Sequence, residues 1–251
     1  MTKYSFIFLA IISLSFFNCK ATGMAGNQPP GDSLKFDQEK HFKNIRQITF
    51  GGNNAEAYFS FDNKKIVFQS DYQGWGVSCD QIFIADLKKA DLKAKAPKML
   101  STSQGRTTCS YFMPGNKSIV YASTHLDHAE CPHVPPRGEK YVWPIYESYD
   151  IFTADLDGRI LKRLTDNPGY DAEATVSPKG DKIVFTSTRS GDLELWTMNI
   201  DGSNPRQVTN QLGYDGGAFF SPDGTKLVFR ASRPKTQEEI QEYKDLLAKG
   251  L

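Results

Sequence analysis

Apolar and polar positions along this chain alternate in short bursts, and the bursts come in pairs joined by a turn. A β-branched or aromatic stretch runs into a Pro/Asp/Gly/Asn cluster, and a second apolar stretch follows. The phrase occurs four times, at 59–68 (Phe59 to Phe68), 112–121 (Phe112 to Tyr121), 176–185 (Val176 to Phe185) and 220–229 (Phe220 to Phe229). Each copy predicts a β-hairpin. A hairpin cannot bury its own faces, so a repeated hairpin predicts neighbours stacked side by side.

Companions stand at fixed offsets from the phrase. An apolar-Thr or apolar-Ser pair precedes each copy: Ile48-Thr49, Leu100-Ser101, Leu164-Thr165 and Val208-Thr209. A third strand follows three copies, at 81–86, 150–155 and 194–199, and two of these run into Asp157-Gly158 or Asp201-Gly202. Such a dipeptide supplies positive φ for a tight turn. Each unit is thus about four short strands, and a radial array of such units is an all-β β-propeller. Ser177 and Ser221 are 44 residues apart, whereas Met113 and Ser177 are 64 apart, so roughly twenty extra residues are inserted in the second unit.

The run Arg163-Leu164-Thr165, Tyr170-Asp171, Ser177-Pro178-Lys179-Gly180 and Asp192-Leu193-Glu194-Leu195-Trp196 resembles the repeat of the TolB-like propeller family. The same repeat occurs in the propeller caps of prolyl oligopeptidase-type enzymes. The resemblance covers about residues 45–233, within a propeller domain read as 41–233, and implies a scaffold that hosts many activities.

Met1 to Lys3 is a short basic start, and Phe6 to Phe17 is an apolar run without charge. That run is too short to span a bilayer, so 1–18 reads as a secretory signal. Ser15-Phe16-Phe17-Asn18-Cys19 resembles a bacterial lipoprotein box, which implies lipid attachment at Cys19. Lys20 in the next position implies outer-membrane placement. Ordinary cleavage near Ala21 or Gly23 is the alternative. Residues 19–40, with Gly23, Gly26, Pro29, Pro30 and Gly31, read as a flexible leash.

At the other end the propeller pattern stops. Thr236-Gln237-Glu238-Glu239 is a capping box, and Ile240, Tyr243, Leu246, Leu247 and Leu251 follow on one helical face. The expected architecture is therefore three complete blades, part of a fourth, and an amphipathic helix over 234–251 with nothing after it to pack on. In the family such a helix would be an insertion in a blade. The expectation is a truncated ring, with a small domain closed by dimerisation as the competing view.

The net charge of +1 supplies no basic field, which excludes nucleic acid as a partner. Aligning the units places Glu56, Cys109, Glu173 and Gly217 at one repeat position, and Asn54, Thr107, Asp171 and Asp215 two residues earlier. The strand leading into the turn is the innermost of a blade, so these positions line the central channel. Glu56, Asp171, Glu173 and Asp215, with Arg106, Tyr170 and Tyr214, are expected to form an acidic, aromatic-edged mouth for a protein or peptide. The bland alternative is that the aspartates tie down loops and the glutamates are solvated.

The insertion contains His125, His128, Cys131 and His133, the ligand types of a zinc or copper site at no established spacing. Pro132, Pro135 and Pro136 favour a structured loop instead. In an exported protein two of Cys79, Cys109 and Cys131 are expected to be bridged. Cys79–Cys109 is the favoured pair and Cys109–Cys131 the next. Trp75, Trp143 and Trp196 read first as packing residues. There is no Gly-x-Ser-x-Gly elbow. The chain therefore reads as a non-enzymatic exported binding or scaffold protein without a cofactor, touching the membrane only through its lipid. A metal-assisted hydrolase or lyase and a non-functional fragment are the alternatives.

Overall fold

Every copy of the repeated phrase closes its hairpin through the same turn. The N–H groups of Asn63, Asn116, Gly180 and Gly224 donate to the carbonyls of Ser60, Met113, Ser177 and Ser221 at 2.8–3.1 Å. All four donors sit at positive φ, 55°, 56°, 71° and 70°. Two repeats meet this demand with glycine and two with asparagine, the side chain that best tolerates the left-handed region. Where the turn begins with serine, its hydroxyl accepts the N–H that opens the next strand, as Ser60 does for Lys65 (3.0 Å) and Ser221 for Lys226 (3.0 Å).

The computed structural model describes residues 34–251 apart from 37, 90, 91, 94 and 137. The signal segment 1–18, Cys19 and the leash up to residue 33 lie outside the described residues. The chain divides into two units, 1–47 and 48–251. The described part of the first unit holds a turn in which the Phe36 N–H donates to Glu39 Oε2 at 2.9 Å.

The second unit is the propeller. Blade one comprises β1 (Asn54–Phe59), β2 (Lys65–Ser70), β3 (Gln81–Asp86) and β4 (Lys98–Met99). Blade two comprises β5 (Thr107–Phe112), β6 (Ser118–Ser123), β7 (Asp150–Asp155) and β8 (Ile160–Arg163). Blade three comprises β9 (Asp171–Val176), β10 (Lys182–Ser187), β11 (Glu194–Asn199) and β12 (Arg206–Gln207). The fourth sheet has two strands, β13 (Asp215–Phe220) and β14 (Leu227–Ala231). All pairings are antiparallel. The array is open, as the three-and-a-half-unit count from sequence requires.

The apolar-Thr companions pin the outer edges. Ser101 Oγ, Thr165 Oγ1 and Thr209 Oγ1 each accept a backbone N–H of the third strand, from Ile82, Ile151 and Leu195, at 2.9 Å. The hydroxyl thus continues the ladder where the short fourth strand has ended.

The core lies between blades. Val67, Ile82 and Leu100 pack on Phe112, Ile119, Tyr121 and Phe152 between the first two. Met113, Val120 and Ile151 pack on Ala174, Val176, Ile183 and Phe185 between the second and third. Alternation along each strand puts these residues on the two faces that neighbouring blades cover.

The carboxy-terminal segment departs from expectation. Helix α1 (Gln237–Ala248) has the predicted capping box, with Thr236 Oγ1 accepting the Glu239 N–H (3.1 Å) and Glu239 Oε2 accepting the Thr236 N–H (3.0 Å). The sequence pattern names no surface for its apolar face. In the structure Tyr243 and Leu247 join a cluster with Ile145, Tyr149, Tyr170, Leu193 and Tyr214. The Ile145 N–H donates to the Gly250 carbonyl at 2.7 Å, and Tyr243 donates to Asp192. The insertion between β6 and β7 and the helix therefore support each other on the propeller end that carries the β2–β3-type loops.

The cysteine pairing also differs. Cys79 is bridged to Cys131, not to Cys109, with Cα atoms 6.0 Å apart. Cys109 stays free because it sits within inner strand β5 and lines the channel, whereas Cys79 belongs to the loop before β3. The insertion folds back to bring Cys131 beside it, a path that spacing does not reveal.

Candidate binding site in the propeller channel

The inner strand of every blade is interrupted at the same place. Register shifts fall between Ala55 and Tyr58 in β1, Thr108 and Tyr111 in β5, and Gly216 and Phe219 in β13, with the matching shift opposite β10 in β9. At each shift stands a residue at positive φ: Glu56 (51°), Cys109 (48°), Glu173 (60°) and Gly217 (59°). This is the column that the sequence alignment singled out. A β-bulge re-aims one side chain, and glycine is the residue that takes this backbone without strain. Three blades instead place Glu, Cys and Glu there, at about 1–2 kcal/mol of strain each. Strain held at equivalent positions around one axis points to a functional requirement for those side chains.

The four bulges line a cavity of about 520 Å³. Glu173 is the lining residue with the most hydrogen-bond donors on its side chain. Its Oε2 accepts the Gly217 N–H (2.7 Å), the Tyr214 hydroxyl (2.8 Å) and the Thr186 hydroxyl (3.1 Å), and its Oε1 accepts the Tyr170 hydroxyl (3.1 Å). Burial pushes the Glu173 carboxyl above its ordinary value, against the opposing pull of these four bonds. Tyr58 donates to Glu56, two residues before it on the same inner strand β1. Burial also raises Tyr58, Tyr170 and Tyr214, so all three remain neutral donors, and it raises the Cys109 thiol well above its usual range.

Towards the hairpin-turn end the channel narrows to an aromatic plug. Tyr58 meets Tyr111 at 5.5 Å and Phe219 at 5.6 Å between ring centroids, and Phe61 stands edge-on to Tyr111 at 6.3 Å. Towards the other end the insertion roofs it. Trp143 packs edge-on against Tyr214 at 5.2 Å, Tyr149 against Tyr170 at 5.7 Å, and Tyr141 lies 88 % exposed at the rim. The Arg230 guanidinium covers Trp143 at 5.1 Å and Tyr214 at 5.7 Å.

Of the expected mouth residues, Glu56, Arg106, Tyr170, Glu173 and Tyr214 line the cavity. Asp171 and Asp215 do not. Both are fully buried and face arginines: Arg189 bonds Asp171 Oδ1 and Oδ2 at 3.0 Å, and Arg233 reaches Asp215 at 2.6 Å. They anchor the start of an inner strand to the end of its neighbour in the same blade. Arg106 is tied to Asp80 in a partly buried ion pair at the cavity edge.

The sequence reads Trp143 first as packing, with a surface for a peptide or sugar over 141–146 as the alternative, and it singles out neither Tyr58 nor Phe219. A signal was present, since Tyr58, Tyr111 and Phe219 all stand two residues after the bulge position. Trp75 and Trp196 do pack, Trp75 on Phe68 and Phe83 and Trp196 under Arg189.

The metal candidates are not brought together. Cys131 is consumed by the disulfide, so it offers no thiolate. His125 packs on Phe152 at 4.6 Å with its Nδ1 2.9 Å from Ser123 Oγ, and His128 and His133 are exposed. Among the described residues no three His, Cys, Asp or Glu side chains converge as a metal site. Nor, among the described residues, is any helix long and apolar enough to cross a membrane.

Fold and site together define an open β-propeller whose strained inner strands hold carboxylates in an aromatic channel. Residues 126–246 match the family model of the TolB beta propeller domain, so this part of the chain is similar to the TolB-like β-propellers. Solved structures agree on the fold. A TolB-assigned protein of Agrobacterium tumefaciens is 21% identical with a TM-score of 0.52, over 72% of this chain and 55% of that one. TolB of Acinetobacter baumannii is 18% identical with a TM-score of 0.51, over 74% and 39%. A chain of the nidogen/laminin complex is 15% identical with a TM-score of 0.52, over 72% and 57%. The chain therefore spans about half the length of the structures it matches.

Proposed function

We propose that this protein is a non-enzymatic, exported binding module that holds a segment of a protein or peptide partner in its channel. One observation carries the reading: equivalent bulges of successive blades hold Glu56, Cys109 and Glu173 at positive φ around a cavity of about 520 Å³ walled by aromatic rings. Cysteine and glutamate side chains kept at a backbone position suited to glycine indicate selection for what they contact. The channel chemistry favours binding over catalysis. The Cys109 thiol is held neutral by burial, the opposite of an activated nucleophile, and the Glu173 carboxylate is clamped by four donors. The nidogen/laminin neighbour, a propeller seen in a protein complex, is consistent with such use of the fold.

The test is selection from a random phage-displayed peptide library on immobilised protein, followed by comparison with two variants. Ala55→Trp fills the channel from a lining position. Asp157→Asn alters an exposed residue on the outer rim. Peptides that bind wild type and Asp157→Asn but not Ala55→Trp are expected. Peptides indifferent to Ala55→Trp would place recognition elsewhere and overturn the reading.

The amino-terminal segment supports export, with Cys19 as lipid anchor to the outer membrane. Radiolabelled palmitate should label the wild-type protein in cells and not Cys19→Ser. Equal labelling of both removes the anchor proposal.

A further inference from the structure

Five carboxylates of the propeller have an arginine of their own: Asp80 with Arg106, Asp150 with Arg163, Asp155 with Arg159, Asp171 with Arg189 and Asp215 with Arg233. The two channel glutamates are treated differently. Glu173 and Glu56 are met by hydroxyls and one backbone N–H, groups that orient a carboxylate and bring no countercharge. Among the described residues neither has an ion-pair partner. The four bonds on Glu173 are also uneven. Oε2 takes three of them, and Oε1 takes one at 3.1 Å, which leaves Oε1 with capacity for a further donor.

Around these oxygens the surfaces are the rings of Tyr58, Tyr170, Tyr214 and Phe219. Ring faces carry negative electrostatic potential and attract ammonium and guanidinium groups. The molecule already shows this at its rim, where the Arg230 guanidinium lies over Trp143 and Tyr214. A cavity of about 520 Å³ has volume enough for an aliphatic stem with a charged head.

We propose that the channel recognises a lysine or arginine side chain of the partner, with its charged head on Glu173 Oε1 and Glu56 and its stem against Tyr170, Tyr214 and Phe219. This rests on the reading of the channel as a peptide site. It adds the sign of the charge and the class of side chain. Arg230 at the rim marks the entry: an incoming cation passes the ring pair that Arg230 covers before reaching the glutamates.

Four blocked tripeptides Gly-X-Gly, with X lysine, arginine, norleucine or glutamate, test the proposal by saturation-transfer NMR titration. The lysine and arginine peptides are expected to bind about tenfold or more tightly than the other two, the worth of a charge-assisted hydrogen bond in a partly buried site. Glu173→Gln should shrink that preference to within about twofold, and Asp157→Asn should leave it intact. Glu56→Gln, at an exposed position, should reduce the preference in part, and it reports on the site even if Glu173→Gln folds poorly. Norleucine binding as tightly as lysine, with both abolished by Ala55→Trp, overturns the cation proposal and leaves the peptide channel standing. Binding by none of the four overturns it too. Should the library selection then also yield no channel-dependent peptide, the reading beneath it falls as well.

Discussion

Glu173 Oε2 accepts the backbone N–H of Gly217 at 2.7 Å, so one bulge residue binds the residue at the same repeat position one blade further on. Neighbouring blades are thereby linked through their most strained backbone positions, and the carboxylate is held against the channel wall. The strain makes a prediction at Glu56, the exposed bulge residue that carries a side chain. A β-branched side chain suits φ 51° worst and glycine suits it best. Glu56→Val should therefore be less stable than Glu56→Gly by about 1–2 kcal/mol in urea denaturation. Equal stability would mean that the bulge backbone relaxes freely and carries no strain.

Arg189 is predicted to be the costliest single arginine to lose. It bonds both oxygens of fully buried Asp171, donates to Ser187 Oγ at 2.9 Å, and lies over the rings of Phe185 and Trp196. Arg189→Met keeps much of the packing and strands the carboxylate, at about 3–5 kcal/mol. Burial already raises the Asp171 carboxyl, and removing Arg189 takes away an opposing pull. A raised folded value contributes stability below the unfolded pKa and loses it as pH rises through the folded one. The gap between Arg189→Met and wild type should thus narrow as pH falls and widen as pH rises through the folded value of Asp171. A double variant Asp171→Asn, Arg189→Met should recover part of the loss.

How far this was legible in the sequence follows from the physics of each feature. The blades were legible because each depends on local chemistry repeated in register: Asn63, Asn116, Gly180 and Gly224 all mark the same turn, and Ser101, Thr165 and Thr209 all cap a third strand. The bulge column was legible for the same reason. Asp171 and Asp215 were misassigned because their arginines, Arg189 and Arg233, lie 18 residues on and meet them only through strand pairing. The roof over the channel was not legible. Trp143 and Cys131 sit in an insertion with no counterpart in the other repeats, so nothing in the alignment fixes where that loop travels.

The bridge from Cys79 to Cys131 spans 52 residues and holds the insertion to the first blade. Replacing both by serine should cost about 2–4 kcal/mol, mostly through the entropy regained by the unfolded chain. The roof would also loosen before the blades do, so limited proteolysis should cut between residues 125 and 149 in the variant well below its melting temperature. Peptide mapping of the unreduced protein should recover Cys79 and Cys131 in one linked species. A linked Cys79–Cys109 species would refute the pairing.

Cys109 should be slow towards thiol reagents although it lines an open channel. Only the thiolate attacks, and burial, together with the charges of Glu56 and Glu173, holds this thiol neutral well above pH 8. In a Cys19→Ser background, native protein is expected to react with iodoacetamide far more slowly than the unfolded chain, and Glu173→Gln should speed the reaction by removing one of the opposing charges. Fast labelling in the native state would mean that Cys109 is an activated group, and the channel would then have to be reconsidered as a catalytic one.

Glu173 should give stability and binding opposite pH dependences. Its folded value is raised by burial, so its contribution to the stability of the empty protein is present below the unfolded value, about 4.3, and is lost as pH rises through the folded one. A cationic side chain needs the ionised form, so affinity should grow over that same interval. Other raised carboxyls, those of Asp80, Asp150, Asp171 and Glu194, tilt the stability curve the same way. The informative quantity is therefore wild type minus Glu173→Gln. Measured from pH 4 to pH 7.5, that difference in melting temperature should fall with pH for the empty protein. The extra melting shift produced by the lysine tripeptide should rise with pH more steeply in wild type than in Glu173→Gln, which keeps only Glu56. Parallel curves for the two proteins would show that Glu173 neither ionises over this range nor meets the cation.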